Sequence, residues 1–207
     1  MTQETTANKG SIDAAIHLFS CHGGVLCTRD ALRLGIHPRT LYAMRDAGLL
    51  ERLSRGLYRL ADLPPLGNPD LVAVALKVPG GVICLISALD YHELTTQIPH
   101  EVYLALPRGA EPPRLEHPPL RVFWVGGKAF TEGVETHEVD GVPVRIYGAE
   151  KTLADSFKYR NKIGLDTAIE ALRRYVRCGR TRIDMLMAYA RICRVEKVIR
   201  PYLEALL

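Results

Sequence analysis

Basic and aromatic side chains are concentrated between residues 38 and 59, where they could contact a nucleic acid. Pro38 can begin a helix, because the first helical position needs no backbone N–H. A rotation of about 100° per residue then places Arg39 and Tyr42 on one side, flanked by Pro38 and Arg45, with apolar residues opposite. An arginine can bind guanine O6 and N7 together, and a tyrosine can contact a thymine methyl group or a phosphate. A helix with one basic and aromatic face and one apolar face is typical of a recognition helix that enters the major groove, although a solvated helix face has the same pattern.

Three further arginines follow on a predicted β-hairpin, with strands at residues 50–53 and 57–60 joined by a turn at 54–56. Gly56 would let this turn lie close to a phosphate backbone. Residues 29–59 contain seven basic and three acidic side chains, which favours a nucleic-acid surface over a solvated one. The predicted DNA-contact residues are Pro38, Arg39, Tyr42, Arg45, Arg52, Arg55 and Arg59.

A second set of charged residues lies on the helix predicted after Ala149. Lys151, Asp155 and Lys158 share one face of that helix, and Lys151 can form an i, i+4 ion pair with Asp155 worth a few tenths of a kcal/mol. Together with Arg160, these residues are the candidate functional residues of the C-terminal part of the chain. The basic run continues through Lys162, Arg173, Arg174, Arg177, Arg180 and Arg182, and is either a solvated helix surface or a second nucleic-acid contact.

Sequence patterns of common enzymes and metal sites are absent. The sequence has no G-x-x-x-x-G-K phosphate loop and no G-x-S-x-G elbow. His92 and Glu93 are adjacent residues that face different directions on a helix, so we predict no metal site. Five cysteines without a C-x-x-C pair indicate reduced thiols. We therefore predict no cofactor and no enzymatic activity. The alternative is a nucleic-acid-modifying enzyme with Lys151 and Asp155 in its catalytic pocket.

Local signals predict the elements that position the first set of residues. Apolar spacing and glycine stops indicate helices over residues 11–20, 28–35 and 38–48, with Thr28 as the N-cap of the second. Together with the hairpin they form a predicted winged helix-turn-helix domain over residues 1–66. The proline-containing segment 63–67 marks its boundary.

Residues 67–207 are predicted to form a larger α+β domain with a mixed or antiparallel sheet that ends in several helices. Strands are expected at residues 82–86, 102–106, 121–125, 136–139 and 142–147. Asp140 and Gly141 suit the type I′ turn of the last two strands. A helix is expected over residues 68–78. Ser87 and Asp90 resemble a capping box for another that ends near residue 94, and the chain from Ala149 onward is helical.

The composition is that of a globular protein, with 207 residues of which 47% are apolar and 24% charged. No apolar run approaches the roughly 20 residues that cross a bilayer, and the first ten residues are polar, so we expect a cytoplasmic protein without membrane contact.

The charge is distributed unevenly along the chain. Residues 67–149 carry six basic and ten acidic side chains, whereas residues 150–207 carry 13 and seven, so the C-terminal helices could help to hold a nucleic-acid backbone.

Several strings of the sequence resemble the AbiEi-family antitoxins of type IV toxin–antitoxin and phage-defence loci. They are GGVLCTRDALRLGIHPRTLYAMRDAGLLERLSRGLYRL (residues 23–60), LISALDYHELTTQIPHEVYLALPRG (85–109), GVPVRIYGAEKTLADSFKYRNKIGLDTAIEALR (141–173) and VIRPYLEALL (198–207). The resemblance implies a repressor that binds repeats in the promoter of its own operon. It also implies a second domain that neutralises a nucleotidyltransferase-like toxin without a stable complex. At matching positions it implies DNA contacts by Arg39, Tyr42, Arg45 and Arg55 and an antitoxin role for Lys151 and Asp155.

The sequence therefore predicts a DNA-binding transcriptional regulator, and from the resemblance an autorepressing antitoxin. Its expected partners are double-stranded operator DNA upstream of its own operon and a nucleotidyltransferase-like toxin. The alternatives are a nucleic-acid-modifying enzyme that its helix-turn-helix targets to DNA, and an interaction scaffold. The oligomeric state is left open, because the sequence contains no heptad seam.

Overall fold

The computed structural model of this protein describes residues 2–179 and 181–207, with side chains described from residue 10 onward. The chain divides into two compact units. The first comprises Met1–Pro79 with Leu115–Pro118 and Glu138–Pro143, and the second comprises Gly80–Arg114, Pro119–His137 and Val144–Leu207. Residues 67–79, which the sequence analysis assigns to the second domain, group with the first unit.

The first unit combines helices with a small antiparallel sheet. Its elements are α1 (Thr2–Ser20), β1 (Val25–Cys27), α2 (Thr28–Arg33), α3 (Pro38–Asp46), β2 (Leu50–Ser54), β3 (Leu57–Leu60) and α4 (Pro69–Lys77). The strand order is β1-β3-β2, and β3 is antiparallel to both neighbours. The three predicted helices and the hairpin are present, while β1 is a strand that the sequence analysis missed.

The core of this unit forms where the apolar faces of α1, α3 and the sheet meet. Its buried side chains include Ala15, Phe19, Leu26, Ala31, Leu41, Met44 and Tyr58. Pro38 occupies the first position of α3, as expected, and the Nδ1 of His37 accepts a hydrogen bond from the Arg39 N–H at 3.2 Å. This contact satisfies one of the free N–H groups that every helix has at its N-terminus.

The prediction that Thr28 caps α2 is wrong. Cys27 occupies the N-cap position, and the Thr28 hydroxyl donates instead to the Gly56 carbonyl at 3.3 Å. The Thr28 N–H donates to the same carbonyl at 2.9 Å. The side chain thus satisfies a backbone acceptor in the β2–β3 turn rather than a donor of its own helix.

A glycine contact holds residues 138–143 within the first unit. Gly23 has a φ of +68°, and a Cβ atom placed on it would lie 2.4 Å from the Gly141 carbonyl oxygen. Next to this contact, the Asp140 carboxylate accepts hydrogen bonds from the N–H groups of Gly67 and Asn68 at 3.0 and 2.9 Å. The close approach therefore requires glycine at position 23 for two reasons, its backbone angle and the lack of space.

The second unit is built on a mixed five-stranded sheet, and all strand residues of this sheet except those within 138–143 group with this unit. Its elements are β4 (Val82–Ile83), α5 (Leu85–Tyr91), β5 (Val102–Pro107), β6 (Leu120–Val125), α6 (Lys128–Thr131), β7 (Val134–Val139), β8 (Val142–Tyr147), α7 (Ala149–Lys158), α8 (Arg160–Ile163), α9 (Leu165–Arg177), α10 (Ile183–Ile192) and α11 (Glu196–Glu204). The strand order is β6-β5-β4-β8-β7. Strand β4 is antiparallel to β5 and parallel to β8, while β5 is parallel to β6, so the predicted mixed α+β class is confirmed.

Two local predictions in this unit are wrong. The strand expected over residues 82–86 ends at Ile83, and Leu85 already begins α5. Ser87 lies inside that helix and is not its cap. Its hydroxyl accepts a hydrogen bond from the Tyr103 N–H at 3.0 Å, because the side chain is buried against β5. Asp140 and Gly141, by contrast, have the positive φ values, 50° and 77°, that the predicted hairpin turn requires.

The helix α7 is the centre of the helical layer. It packs against α5, α9 and α10, and every residue from Glu150 to Phe157 is buried. Of its neighbours, α9 and α10 bury one face only, which includes Ala171, Leu172 and Leu186. No helix among the described residues is long and apolar enough to cross a membrane.

We predict that Gly23→Ala destabilises the protein more than Gly48→Ala does. Both glycines have positive φ values, 68° and 72°, so each substitution imposes a backbone cost of about 1–2 kcal/mol. Only at position 23 would the new methyl group also collide with backbone, since nothing lies within 4 Å of a Cβ at Gly48. We expect an additional loss of about 1–3 kcal/mol for Gly23→Ala, measured by urea denaturation. Equal losses would contradict the packing of Gly23 against Gly141.

Candidate nucleic-acid interface

The outer face of α3 carries the side chains that the sequence analysis selected. Pro38, Arg39, Tyr42 and Arg45 are exposed, and Tyr42 keeps 44% of its surface accessible. The opposite face holds Leu41 and Met44, which are fully buried. Ala47 follows the last residue of α3, Asp46, and is exposed.

The two arginines of α3 differ in their surroundings. The guanidinium of Arg45 contacts the Asp46 carboxylate, with Nη2 at 2.7 Å and Nε at 2.8 Å from Oδ1. It also lies 5.0 Å from the centre of the Tyr42 ring. Arg39 makes no ion pair within the described part of the chain. Arg39 is therefore available to an external acceptor, whereas Arg45 would have to leave or share its carboxylate.

The tip of the β2–β3 hairpin is held by neighbouring elements of the same unit. The Gly56 carbonyl accepts both donors of Thr28, and the Lys77 ammonium donates to the Arg55 carbonyl at 2.7 Å. The Arg55 side chain itself is 79% exposed and lies 3.2 Å from the Glu116 carboxylate. The backbone at this tip is thus fixed while its guanidinium points into solvent.

The other hairpin arginines have different environments. Arg52 is exposed, and its Nε donates to the Ser54 carbonyl at 3.2 Å. Arg59 is only 3% exposed, although we expected it on the DNA-facing surface. Its guanidinium donates to Glu51 at 3.3 Å and to the Pro64 carbonyl. Arg59 therefore ties the hairpin to the chain that follows it and is unable to reach a phosphate.

In the second unit, the predicted pair of Lys151 and Asp155 is present but fully buried. Lys151 is 0% and Asp155 2% exposed, and the ammonium binds the carboxylate directly. The Tyr147 ring centre lies 4.0 Å from the Lys151 ammonium, and the Cys193 thiol donates to Asp155 Oδ1 at 3.2 Å. Burial, reinforced by Asp155, raises the pKa of Cys193 to about 12, so the thiol stays protonated. The predicted i, i+4 ion pair is therefore present, but it is buried, so the few tenths of a kcal/mol expected for an exposed helix pair do not apply to it.

The two remaining candidates of this unit are half-exposed. Lys158 places its ammonium 5.6 Å from the centre of the Tyr159 ring. The Arg160 guanidinium donates to the Phe157 carbonyl at 2.8 Å, which closes the end of α7. Neither forms an ion pair with any carboxylate in residues 10–179 and 181–207.

A charged cluster that the sequence analysis missed surrounds Glu150. This carboxylate is 3% exposed and accepts two hydrogen bonds from Arg182, both 2.8 Å, and one from the Tyr175 hydroxyl at 2.7 Å. Burial alone would raise the pKa of Glu150, but these hydrogen bonds outweigh it and hold the pKa below its ordinary value of 4.5. Its partners are 25 and 32 residues away, so no local spacing indicates them.

The basic run after Arg160 is divided among several environments. Arg174 pairs with Glu170 at 3.1 Å, Arg182 is bound to Glu150, and Lys162 lies 5.5 Å from the Phe123 ring centre. Arg173 and Arg177 are exposed and have no carboxylate partner among the described side chains. Arg180 lies outside the described residues. The run is therefore not one uniform basic surface.

The histidines near β8 make protein contacts. Nε2 of His92 donates to the Tyr147 carbonyl at 2.8 Å, and burial lowers the pKa of His92. His137 lies 3.1 Å from the Glu135 carboxylate. Within the described residues, no group of three or more His, Cys, Asp or Glu side chains is placed to hold a metal ion.

Comparison with known proteins gives a match to a family and matches to solved structures. A crystal structure of the RV2827C protein from Mycobacterium tuberculosis aligns with 16% identity and a TM-score of 0.49, covering 88% of this chain and 75% of that one. No curated protein sequence matches the chain. Residues 13–61 match the model of a family described as "Transcriptional regulator, AbiEi antitoxin". The resemblance predicted from the sequence is confirmed over this segment, which is similar to the AbiEi antitoxin family of transcriptional regulators.

Proposed function

We propose that this chain is a DNA-binding transcriptional regulator whose first unit is a winged helix-turn-helix. The helices α2 and α3 form the helix-turn-helix, α3 is the recognition helix, and the β2–β3 hairpin is the wing. The observation that carries the proposal is the exposed α3 face of Arg39, Tyr42 and Arg45 beside a fully buried opposite face. It lies within the segment that matches the family of regulators.

The chemistry of this face suits duplex DNA. Arg39 has no competing carboxylate among the described side chains, so its guanidinium is available for a bidentate contact with a guanine edge or for a phosphate. Arg55 and Arg52 on the wing suit phosphate contacts, because their side chains are exposed while the wing backbone is fixed. Arg59 supports the wing from inside and is not part of the proposed contact surface.

We further propose that the chain is an antitoxin that represses its own operon in the cytoplasm. The family description supports an antitoxin role. In this proposal the first unit binds operator DNA upstream of the operon, and the second unit neutralises a nucleotidyltransferase-like toxin of a phage-defence locus without a stable complex. Lys158 and Arg160, which are half-exposed, are the accessible candidates for that second role, because Lys151 and Asp155 are enclosed in the core.

The enzymatic alternative required Lys151 and Asp155 to line a catalytic pocket. Both side chains are instead buried and bound to each other, with Cys193 and Tyr147 around them. A group that acts on a substrate has to reach it. The burial of this pair favours a structural role, and regulation remains the proposal.

We predict that Arg39→Ala and Arg55→Ala weaken DNA binding in different ways. If Arg39 reads a base, its loss costs about 1–3 kcal/mol on the operator and relaxes sequence preference. If Arg55 binds a phosphate, its loss weakens binding to all duplexes. It also lowers the slope of log affinity against log salt concentration by about one. Gel shifts on DNA upstream of the gene, repeated at several salt concentrations, measure both effects.

Arg191→Ala is the matched control for these variants, since Arg191 is exposed on α10 in the second unit. It should leave the affinity for upstream DNA unchanged. A combined Arg39→Ala, Tyr42→Ala and Arg55→Ala variant should lose operator binding while it unfolds at the wild-type urea concentration. Unchanged binding by this triple variant would rule out the proposed interface.

We predict that Glu116→Gln strengthens DNA binding. In the free protein, Glu116 lies 3.2 Å from the Arg55 guanidinium, and a DNA phosphate would have to replace it. Both side chains are largely exposed, so the gain should be only a few-fold in affinity. The matched control Glu111→Gln removes an exposed carboxylate with no ion pair to a described residue, and should have less effect. The gain should vanish in an Arg55→Ala background, and a gain that persists there would contradict this competition.

We predict that Asp155→Leu destabilises the protein strongly and that adding Lys151→Met recovers most of the loss. The single change leaves a buried ammonium without its carboxylate, which costs about 3–5 kcal/mol. The double change removes both charges and replaces them with apolar groups of similar size. Urea denaturation of the wild type, both single variants and the double variant gives the coupling between the two sites. Additive losses would contradict a structural pair.

A further inference from the structure

The exposed side of α9 carries a line of side chains with opposite charges at its two ends. We call it the α9 stripe, and it consists of Leu165, Asp166, Ile169, Glu170, Arg173, Arg174 and Arg177. These positions follow one another at helical spacing. The opposite side of the helix is buried through Thr167, Ala168, Ala171, Leu172 and Tyr175. The helix is therefore anchored by one face and presents the other.

The charges of the stripe are separated along the helix axis. Asp166 lies at the N-terminal end and Arg177 at the C-terminal end, eleven residues apart, which is about 16 Å at the helical rise. Glu170 and Arg174, in the middle, bind each other at 3.1 Å. Asp166, Arg173 and Arg177 form no ion pair within the chain as described. The stripe thus has an acidic end and a basic end whose charges are not used internally.

A rigid loop adds apolar surface next to the stripe. The N–H and hydroxyl of Thr96 both donate to Glu170 at 3.1 Å, and the Gln97 amide donates to Thr167 at 3.0 Å. The next residue, Ile98, is 80% exposed, and Leu165 on the stripe is 37% exposed. An apolar side chain on a loop that is already ordered can be buried by a partner at little further entropic cost.

We propose that the α9 stripe is a self-association surface that binds a second copy of this chain, with the two α9 helices antiparallel. A two-fold interface brings the same patch of both subunits together, so the patch has to be complementary to itself. The stripe meets this condition, because antiparallel pairing places Asp166 opposite Arg177 of the second copy and Arg177 opposite Asp166 of the second copy. In this register Glu170 lies opposite Arg173 of the second copy, beside the two-fold axis, and Ile169 lies opposite Arg174 of the second copy. A parallel arrangement would oppose like charges.

The size of the surface sets the strength of the association. One 13-residue helix and one short loop cover less than the roughly 800 Å² per partner that stable complexes bury. The dimer is therefore weak and depends on protein concentration and on salt. This inference extends beyond the proposed function and needs no DNA, so the failure of either leaves the other testable.

Sedimentation velocity on the full chain, from about 1 to 200 µM at low salt, tests the proposal by charge exchange. The wild type should shift from monomer to dimer over this range. Asp166→Arg and Arg177→Asp should each raise the dimer dissociation constant at least about tenfold, because each opposes like charges twice. An equimolar mixture of the two variants should associate again, and so should a chain that carries both changes. Ile98→Asp should also weaken association.

The matched control exchanges charges on α10, with Asp184→Arg and Arg191→Asp, both exposed, and should leave the dissociation constant unchanged. All substituted side chains are exposed, so the variants should keep the wild-type unfolding transition. A wild type that stays monomeric at 200 µM, or charge exchange that fails to restore association, overturns the proposal. An Arg177→Asp variant that loses DNA affinity but keeps the dimer dissociation constant of the wild type also overturns the proposal, since the stripe would then be a nucleic-acid contact.

Discussion

The hydrogen bonds to the carbonyls of the β2–β3 turn are the constraint on which the candidate DNA interface depends. A turn leaves backbone acceptors without strand partners, and these have to find donors. Gly56 takes both donors of Thr28, and Arg55 takes the Lys77 ammonium. Thr28 is also the first residue of α2, which leads directly to α3. The same few contacts therefore fix the tip of the β2–β3 hairpin relative to α2 and α3. Gly56 has a φ of +69°, and a Cβ there would lie 3.3 Å from the Thr28 hydroxyl, so the turn favours glycine.

In the second unit the corresponding constraint is the pairing of buried charges on α7. A buried ion costs several kcal/mol unless a partner of opposite charge and further hydrogen bonds accompany it. Lys151 has Asp155, which also accepts from Cys193, and Glu150 has Arg182 and Tyr175. Because the buried charges of α7 find their partners within the unit, α7 can be buried on all sides. A helix with charges on one face is thus not necessarily a surface helix.

Features that depend on neighbouring residues could be predicted from the sequence, and features that depend on distant partners could not. Pro38 at the start of α3 and the Asp140–Gly141 turn follow from local backbone preferences, and both are present. The Lys151–Asp155 pair is a local i, i+4 relation and is also present, but its burial is not local. The side chains of Thr28 and Ser87 suit a capping role. In the structure each bonds a backbone group more than ten residues away, which no local pattern contains.

The same distinction governs how the charge of the chain should be interpreted. Counting charges by segment makes the C-terminal helices the most basic part, yet Arg174 and Arg182 are neutralised by acidic neighbours. A polyanion such as DNA is attracted by a surface whose exposed charges are positive. The exposed carboxylate of Asp166 on the α9 stripe weakens this attraction. A partner with the reverse order of charges meets attraction at both ends. The order of the unpaired charges along α9 therefore decides whether DNA or a second copy of the chain binds the stripe. This order is found only when the charges that are already paired within the chain are left out.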